Sequence, residues 1–220
     1  DDHDAGTLHD HVLTITEPHT SALRSVFQVH KGTSPDDAAI AAERRADAAL
    51  GNAAEPEDTI AAALHHPFLV EAAEQLLRDQ VYFFQSRVNY QPAFNGSGFM
   101  WHSDFETWHA EDGMPTPRCL SAVLLLDDNH AFNGALMVIP GSHTQFVACG
   151  GATPADNWRT SLKSQQEGTP SPRHLRSLFE TAAQRYGKGI EYCEGKAGDV
   201  ILFDCNLMHG SHSNISPLPR

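Results

Sequence analysis

From about residue 80 onward the sequence breaks into short apolar runs divided by turn signals, and this pattern limits the fold more than any other feature. The runs are VYFFQSRVNY (81–90), CLSAVLLLDD (119–128), ALMVIP (135–140), GIEYCE (189–194) and DVILFDCNLMHG (199–210). Turn signals fall at Asn95-Gly96, Asp112-Gly113, Asn133-Gly134, Pro140-Gly141 and Ala197-Gly198. Strands this short bury their apolar faces only by packing one sheet on another. The expected fold is therefore mainly β with flanking helices, a sandwich or jelly roll.

Helices are expected ahead of the strands. Between Ser34 and about Gly51 the chain is Ala-rich and charged, with Ser34 as a cap, Pro35 at the first helical position and Asp36 and Asp37 at the positive end. A second helix follows Pro56 and runs through Leu64 to Leu77, with a break at His66-Pro67. Leu23–His30 has strand character, residues 1–20 are a polar lead-in, and 151–187 form a polar excursion with helical stretches. The expected organisation is one domain over 1–220 with a helical insertion at about 34–78. With 40% hydrophobic residues and 11 Phe the chain has enough apolar mass for a packed core.

Charge and cysteine usage remove some functions. A net charge of −13 is wrong for a nucleic-acid surface, which needs clustered Lys and Arg. No apolar run approaches the ~20 residues that span a bilayer, and the Asp1-Asp2-His3-Asp4 opening is unlike a signal peptide. Cys119, Cys149, Cys193 and Cys205 are widely spaced without a C-x-x-C pair, which favours buried reduced thiols and a cytoplasmic location.

The chemistry concentrates in Phe99–His109, FMWHSDFETWH. His102 and Asp104 are two apart, so on an extended segment both side chains leave one face and can reach the same ion. His209, at the end of DVILFDCNLM, supplies a third ligand. Two imidazoles and one carboxylate on one face of an octahedron leave three positions open, as in non-haem Fe(II) oxygenases. A bare H-x-D is common, but Arg220 follows His209 by eleven residues, and its planar fork suits the distal carboxylate of 2-oxoglutarate. The remaining histidines fit other roles. His109 would face the opposite side on a continuing strand, His143 follows a turn, His65-His66 sits at a helix break, and His212 is expected to be exposed or to support the site. No G-x-S-x-G is present, GKGIEYCEGKAG fails as a phosphate loop, and Cys205 reads as an inert buried thiol.

Around these ligands the sequence resembles the ectoine hydroxylases, a family in the phytanoyl-CoA dioxygenase-like branch of Fe(II)/2-oxoglutarate dioxygenases. QSRVNYQPAF (85–94), GFMWHSDFETWHAEDGMP (98–115), FNGALMVIPGSH (132–143) and GDVILFDCNLMHGSHSNISPLPR (198–220) carry the resemblance, and FETWHAEDG is its most diagnostic part. It covers roughly 20–30 and 68–220, with 31–60 standing apart. The resemblance implies a double-stranded β-helix of the cupin type, with Fe(II) on His102, Asp104 and His209 as the catalytic centre. It further implies that Arg220, Asn89, Ser211 and position 91 contact 2-oxoglutarate, and that Gln85, Trp108 and Phe203 hold ectoine. The implied reaction is ectoine + 2-oxoglutarate + O2 → 5-hydroxyectoine + succinate + CO2, a stress-response chemistry of a compatible solute; a homodimer is also compatible with it. Trp108 and Phe203 suit stacking on a small zwitterionic ring and its delocalised amidine cation.

Three departures stand out. Gln91 occupies a position where the family often has Lys, and His212 replaces a frequent Asn. The chain stops at Arg220, where the family continues into a further strand, so shortening at both ends is expected, and Arg220 would be poorly fixed if the protein ended there. Two other readings stay open: a hydroxylase of another small cyclic amino acid such as proline, and a catalytically silent jelly-roll binding module.

Overall fold

Alternation of apolar and polar residues sets the sheets, and two apolar faces meeting between them set the core. The computed structural model describes residues 14–17, 20, 22–27, 59–148, 151–157 and 163–220. By contact they fall into two units, one of residues 1–14 and 25–89, the other of 15–24 and 90–220. The expected helix between Ser34 and Gly51, the end of the Leu23–His30 run, the lead-in through residue 13 and Cys149 lie outside the described residues.

In the first unit, α1 (Thr59–Leu64) and α2 (Pro67–Leu77) flank the expected break. His66 causes the restart: its Nδ1 accepts from Phe68 N–H at 3.3 Å, and Pro67 takes the first helical position, where no N–H is needed. Only the last part of the 81–90 run is a strand, β3 (Arg87–Asn89). It pairs antiparallel with the end of β2 (Leu23–Phe27), Ser25 opposite Asn89.

The second unit holds two antiparallel sheets. One has four strands in the order β4 (Phe99–His102), β9 (His209–Ser211), β6 (Leu136–Val138), β7 (Glu191–Cys193). The other pairs β5 (Leu120–Leu124) with β8 (Val200–Asp204). Leu136 from the first sheet and Phe203 from the second share one buried cluster with Leu207, and Val123 and Ile201 pack on it. The two sheets thus close on each other as a jelly roll. Ahead of β4, β1 (Thr14–Thr16) leads into a turn closed by Glu17 N–H on Ala22 O at 2.9 Å. Arg24 is 1% exposed and donates to Ser97 O at 2.7 Å and Gly98 O at 3.0 Å, with its guanidinium 4.2 Å from the Phe99 ring. This buried cation fixes the entry to β4, and so to His102.

Two readings change here. The apolar run 199–210 is two strands, broken at Cys205–Met208 where Asp204 Oδ1 accepts from Asn206 N–H at 2.8 Å. The segment after His102 is helix α3 (Asp104–Asp112), so His109 is not on a continuing strand; it is exposed, its Nδ1 2.6 Å from Met114 O. The excursion 151–187 contains the expected helical stretch as α4 (Pro172–Tyr186), capped by Ser171 Oγ. Its Leu178 and Ala182, one turn apart, bury against Ile139 and Met208. No helix among the described residues is long and apolar enough to cross a membrane.

Candidate metal centre

β4 and β9 pair so that His102 stands opposite His209. Their rings lie 4.2 Å apart between centroids, and both residues are buried. Each imidazole is turned by a carbonyl two residues before it: His102 Nδ1 lies 2.7 Å from Met100 O, and His209 Nδ1 lies 2.9 Å from Leu207 O. A carbonyl only accepts, so Nδ1 is the nitrogen that donates and Nε2 is the one left to face a metal ion. Both Nε2 atoms point at one carboxylate oxygen, Asp104 Oδ1, at 3.7 Å each.

Asp104 arrives differently. Ser103 is still extended, at φ −111 and ψ 144, and Asp104 is the first residue of α3. The helix start is anchored from outside: Ser103 N–H donates to Gly168 O at 2.9 Å, and Phe105 N–H to Cys205 O at 3.0 Å. Buried Glu106 accepts from Gly168 N–H at 2.9 Å. Gly168 is held at φ +75, and a Cβ there would collide with Ser103 O, so only glycine suits this place. The FETW stretch therefore holds the 165–168 loop, a structural task alongside any contact with substrate. Ser121 Oγ donates to Asp104 Oδ2 at 3.0 Å.

His102, Asp104 and His209 offer ligand atoms all within 4.8 Å of one another. Neighbouring ligands about 2.1 Å from an octahedral ion stand ~3 Å apart, so the 3.7 Å separations need only a small closure. Two neutral imidazoles and one carboxylate are the donors a divalent iron takes, and the residues fit the ion.

Other expected residues gather beside this centre. Phe203 is buried with its ring 5.0 Å from that of His209. Trp108 is buried one helical turn after Asp104, on the same side of α3. Ser211 shares with His209 one face of β9, and its Oγ accepts from Gln91 Nε2 at 3.0 Å and from Phe99 N–H at 3.2 Å. Arg220 is tied to Gln91 through both backbone groups, Arg220 N–H to Gln91 O at 3.0 Å and Gln91 N–H to Arg220 O at 2.6 Å. Its guanidinium donates to Gly134 O. Arg220 is thus held through both its backbone and its side chain. Burial pushes its guanidinium down to about 10, and among the described residues no carboxylate pairs with it. Gln85 and Asn89 belong to the first unit, where Asn89 Oδ1 accepts from Ser25 Oγ at 2.7 Å. His212 is exposed, its Nε2 3.0 Å from Tyr192 Oη.

Cys119, Cys193 and Cys205 are free thiols. A hydrogen bond with Cys119, then burial, pushes the Cys205 thiol up, as expected of an inert group. Ser121 was not among the expected residues; its signal is that it is the lone polar side chain in LSAVLLL (120–126).

Comparison with known proteins gives concordant results. The family model described as phytanoyl-CoA dioxygenase matches residues 13–220. A protein of Bordetella bronchiseptica named ectoine dioxygenase is 48% identical over 206 residues, covering 94% of this chain and 57% of its own. The crystal structure of EctD from S. alaskensis with 2-oxoglutarate and 5-hydroxyectoine matches with TM-score 0.63 and 42% identity, over 94% of this chain and 56% of that one. EctD from S. alaskensis with bound Fe matches with TM-score 0.62 and 42% identity, over 94% and 57%. The chain therefore spans less than two thirds of the length of these relatives.

Proposed function

The chain belongs to the phytanoyl-CoA dioxygenase family, and we propose that it is an Fe(II)- and 2-oxoglutarate-dependent dioxygenase that converts ectoine to 5-hydroxyectoine with formation of succinate and CO2. The observation that carries this reading is one face of β9. His209 and Ser211 are two residues apart there, about 6.6 Å along a strand, and the guanidinium of Arg220 lies beyond them at Gly134. A five-carbon dicarboxylate has the length to lie along that face, with one end at the His102–Asp104–His209 cluster and the other on a half-buried cation that pairs with no carboxylate among the described residues.

In this reading His102 Nε2, His209 Nε2 and Asp104 Oδ1 hold the metal, and the Met100 and Leu207 carbonyls keep the two Nδ1 protons in place. Bound Fe(II) supplies the redox chemistry that couples oxidative decarboxylation of 2-oxoglutarate to insertion of one oxygen atom of O2 into a substrate C–H bond. Arg220 takes the distal carboxylate as a fork, and Ser211 offers its hydroxyl beside it. Gln91, neutral where the family often has Lys, braces Ser211 and the backbone of Arg220, and Asn89 is assigned to the same co-substrate. Trp108 and Phe203 stack on the ring of ectoine and keep water away, and Gln85 is assigned to its polar edge. We keep residues 1–220 as one dioxygenase domain, which a family match over 13–220 supports, and the free thiols support a reducing cytoplasm.

The test is a substrate panel with Fe(II), 2-oxoglutarate and air, read by mass spectrometry. Ectoine should gain one oxygen, and proline and other cyclic amino acids should not. Hydroxylation of another member of the panel in preference to ectoine overturns the substrate; normal folding with no succinate formed favours the silent binding module.

A further inference from the structure

The two oxygens of Asp104 face different groups. Oδ1 lies 3.7 Å from both His102 Nε2 and His209 Nε2, while Oδ2 accepts from Ser121 Oγ at 3.0 Å. Ser121 comes from the other sheet, directly opposite Phe203 in the β5–β8 ladder. It is half-buried and shares a strand face with Val123, which packs on the cluster of Leu136, Phe203 and Leu207. A hydroxyl on a core-facing position costs desolvation unless it is bonded. The bond it makes is to an ionised ligand group, the stronger kind.

We propose that Ser121 is a positioning residue that keeps Asp104 a one-oxygen metal ligand, and so reserves the neighbouring coordination position for 2-oxoglutarate. This rests on reading the centre as an Fe(II)/2-oxoglutarate site. Carboxylates bind cations through one oxygen or two. Two imidazoles, one carboxylate oxygen, two oxygens of the 2-oxo acid and dioxygen fill six positions. An Asp104 that closed both oxygens on the ion would remove one of those positions from the co-substrate. With the Ser121 proton on Oδ2, that oxygen is turned toward β5 and carries less free charge for a second metal bond.

The experiment is anaerobic calorimetric titration of the full-length protein with Mn(II) and then with 2-oxoglutarate, for the unaltered protein, Ser121→Ala and Ser121→Thr. Ser121→Ala should bind 2-oxoglutarate about tenfold more weakly, the loss of one hydrogen bond to a charged group. Its Mn(II) affinity should fall by clearly less than its 2-oxoglutarate affinity, because all three ligand side chains remain. Ser121→Thr keeps the hydroxyl and should restore 2-oxoglutarate binding. In turnover the Ala variant should raise KM for 2-oxoglutarate more than it lowers kcat. Unchanged 2-oxoglutarate affinity in Ser121→Ala overturns the proposal. So does a parallel loss of both affinities that Thr does not restore, since that marks a merely structural role. An unaltered protein that takes Mn(II) but no 2-oxoglutarate overturns the underlying reading, and the proposal with it.

Discussion

The imidazoles and the carboxylate of the proposed metal centre are held by different parts of the molecule. His102 and His209 face each other across the β4–β9 ladder, each steadied by a carbonyl only two residues away, Met100 and Leu207. Asp104 depends on distant segments: Ser121 on β5, Cys205 after β8 and Gly168 in the loop before α4. The imidazole arm is therefore a local structure and the carboxylate arm a tertiary one. Changes far from the ligands should reach the centre through Asp104 first.

The largest effect breaks the carboxylate arm outright. Asp104→Ala should leave no hydroxylation above background in a succinate assay, because two imidazoles alone do not complete the three-ligand face. Undiminished turnover would sink the ligand assignment. Next comes the far end of the β9 face. Arg220→Ala should raise KM for 2-oxoglutarate about 100-fold, through loss of two charge-assisted hydrogen bonds, while Arg220→Lys should raise it about tenfold by keeping charge without the fork. Steady-state kinetics in varied 2-oxoglutarate separates the two.

The pH dependence follows from the same residue. Burial lowers the Arg220 pKa to about 10, so the cation is present below that pH and is lost as pH rises through it. Affinity for 2-oxoglutarate should be flat between about pH 7 and 9 and decline above about 10, measured by calorimetry with buffers of matched ionic strength. The smallest effect sharpens the comparison. Gly168→Ala should cost ~1–3 kcal/mol, from a positive φ and a clash with Ser103 O. Thermal melts give that cost. Mn(II) affinity should fall with it, because Ser103 leads directly into Asp104; a lower melting temperature with unchanged metal binding would separate the loop from the carboxylate arm.

How far the sequence foretold this follows the same division. His102 and Asp104 were legible because their spacing alone puts two ligands on one side, and His209 because it closes an apolar run. The break inside that run was not legible: Leu207 and Met208 are both buried, in different clusters, so hydropathy stays high through the turn at Cys205–Met208. The helix after Ser103 was missed because the two-residue spacing of His102 and Asp104 also suits an extended segment, and Ser103, the residue ahead of the helix, makes no side-chain cap bond. The break at His66-Pro67 was foreseen, since proline chemistry is local. Ser121 was visible only as a polar residue in an apolar run, and its partner is 17 positions away in another element. The grip of Gln91 on Arg220 and Ser211 likewise joins residues more than a hundred positions apart, beyond any pattern of local periodicity.

The most direct test of the centre is an anaerobic titration with Fe(II) in the presence of excess 2-oxoglutarate, followed by visible absorption. The account predicts a charge-transfer band that saturates at one Fe(II) per chain and is absent from Asp104→Ala. A band of equal strength in Asp104→Ala, or no band in the unaltered, folded protein, would contradict it.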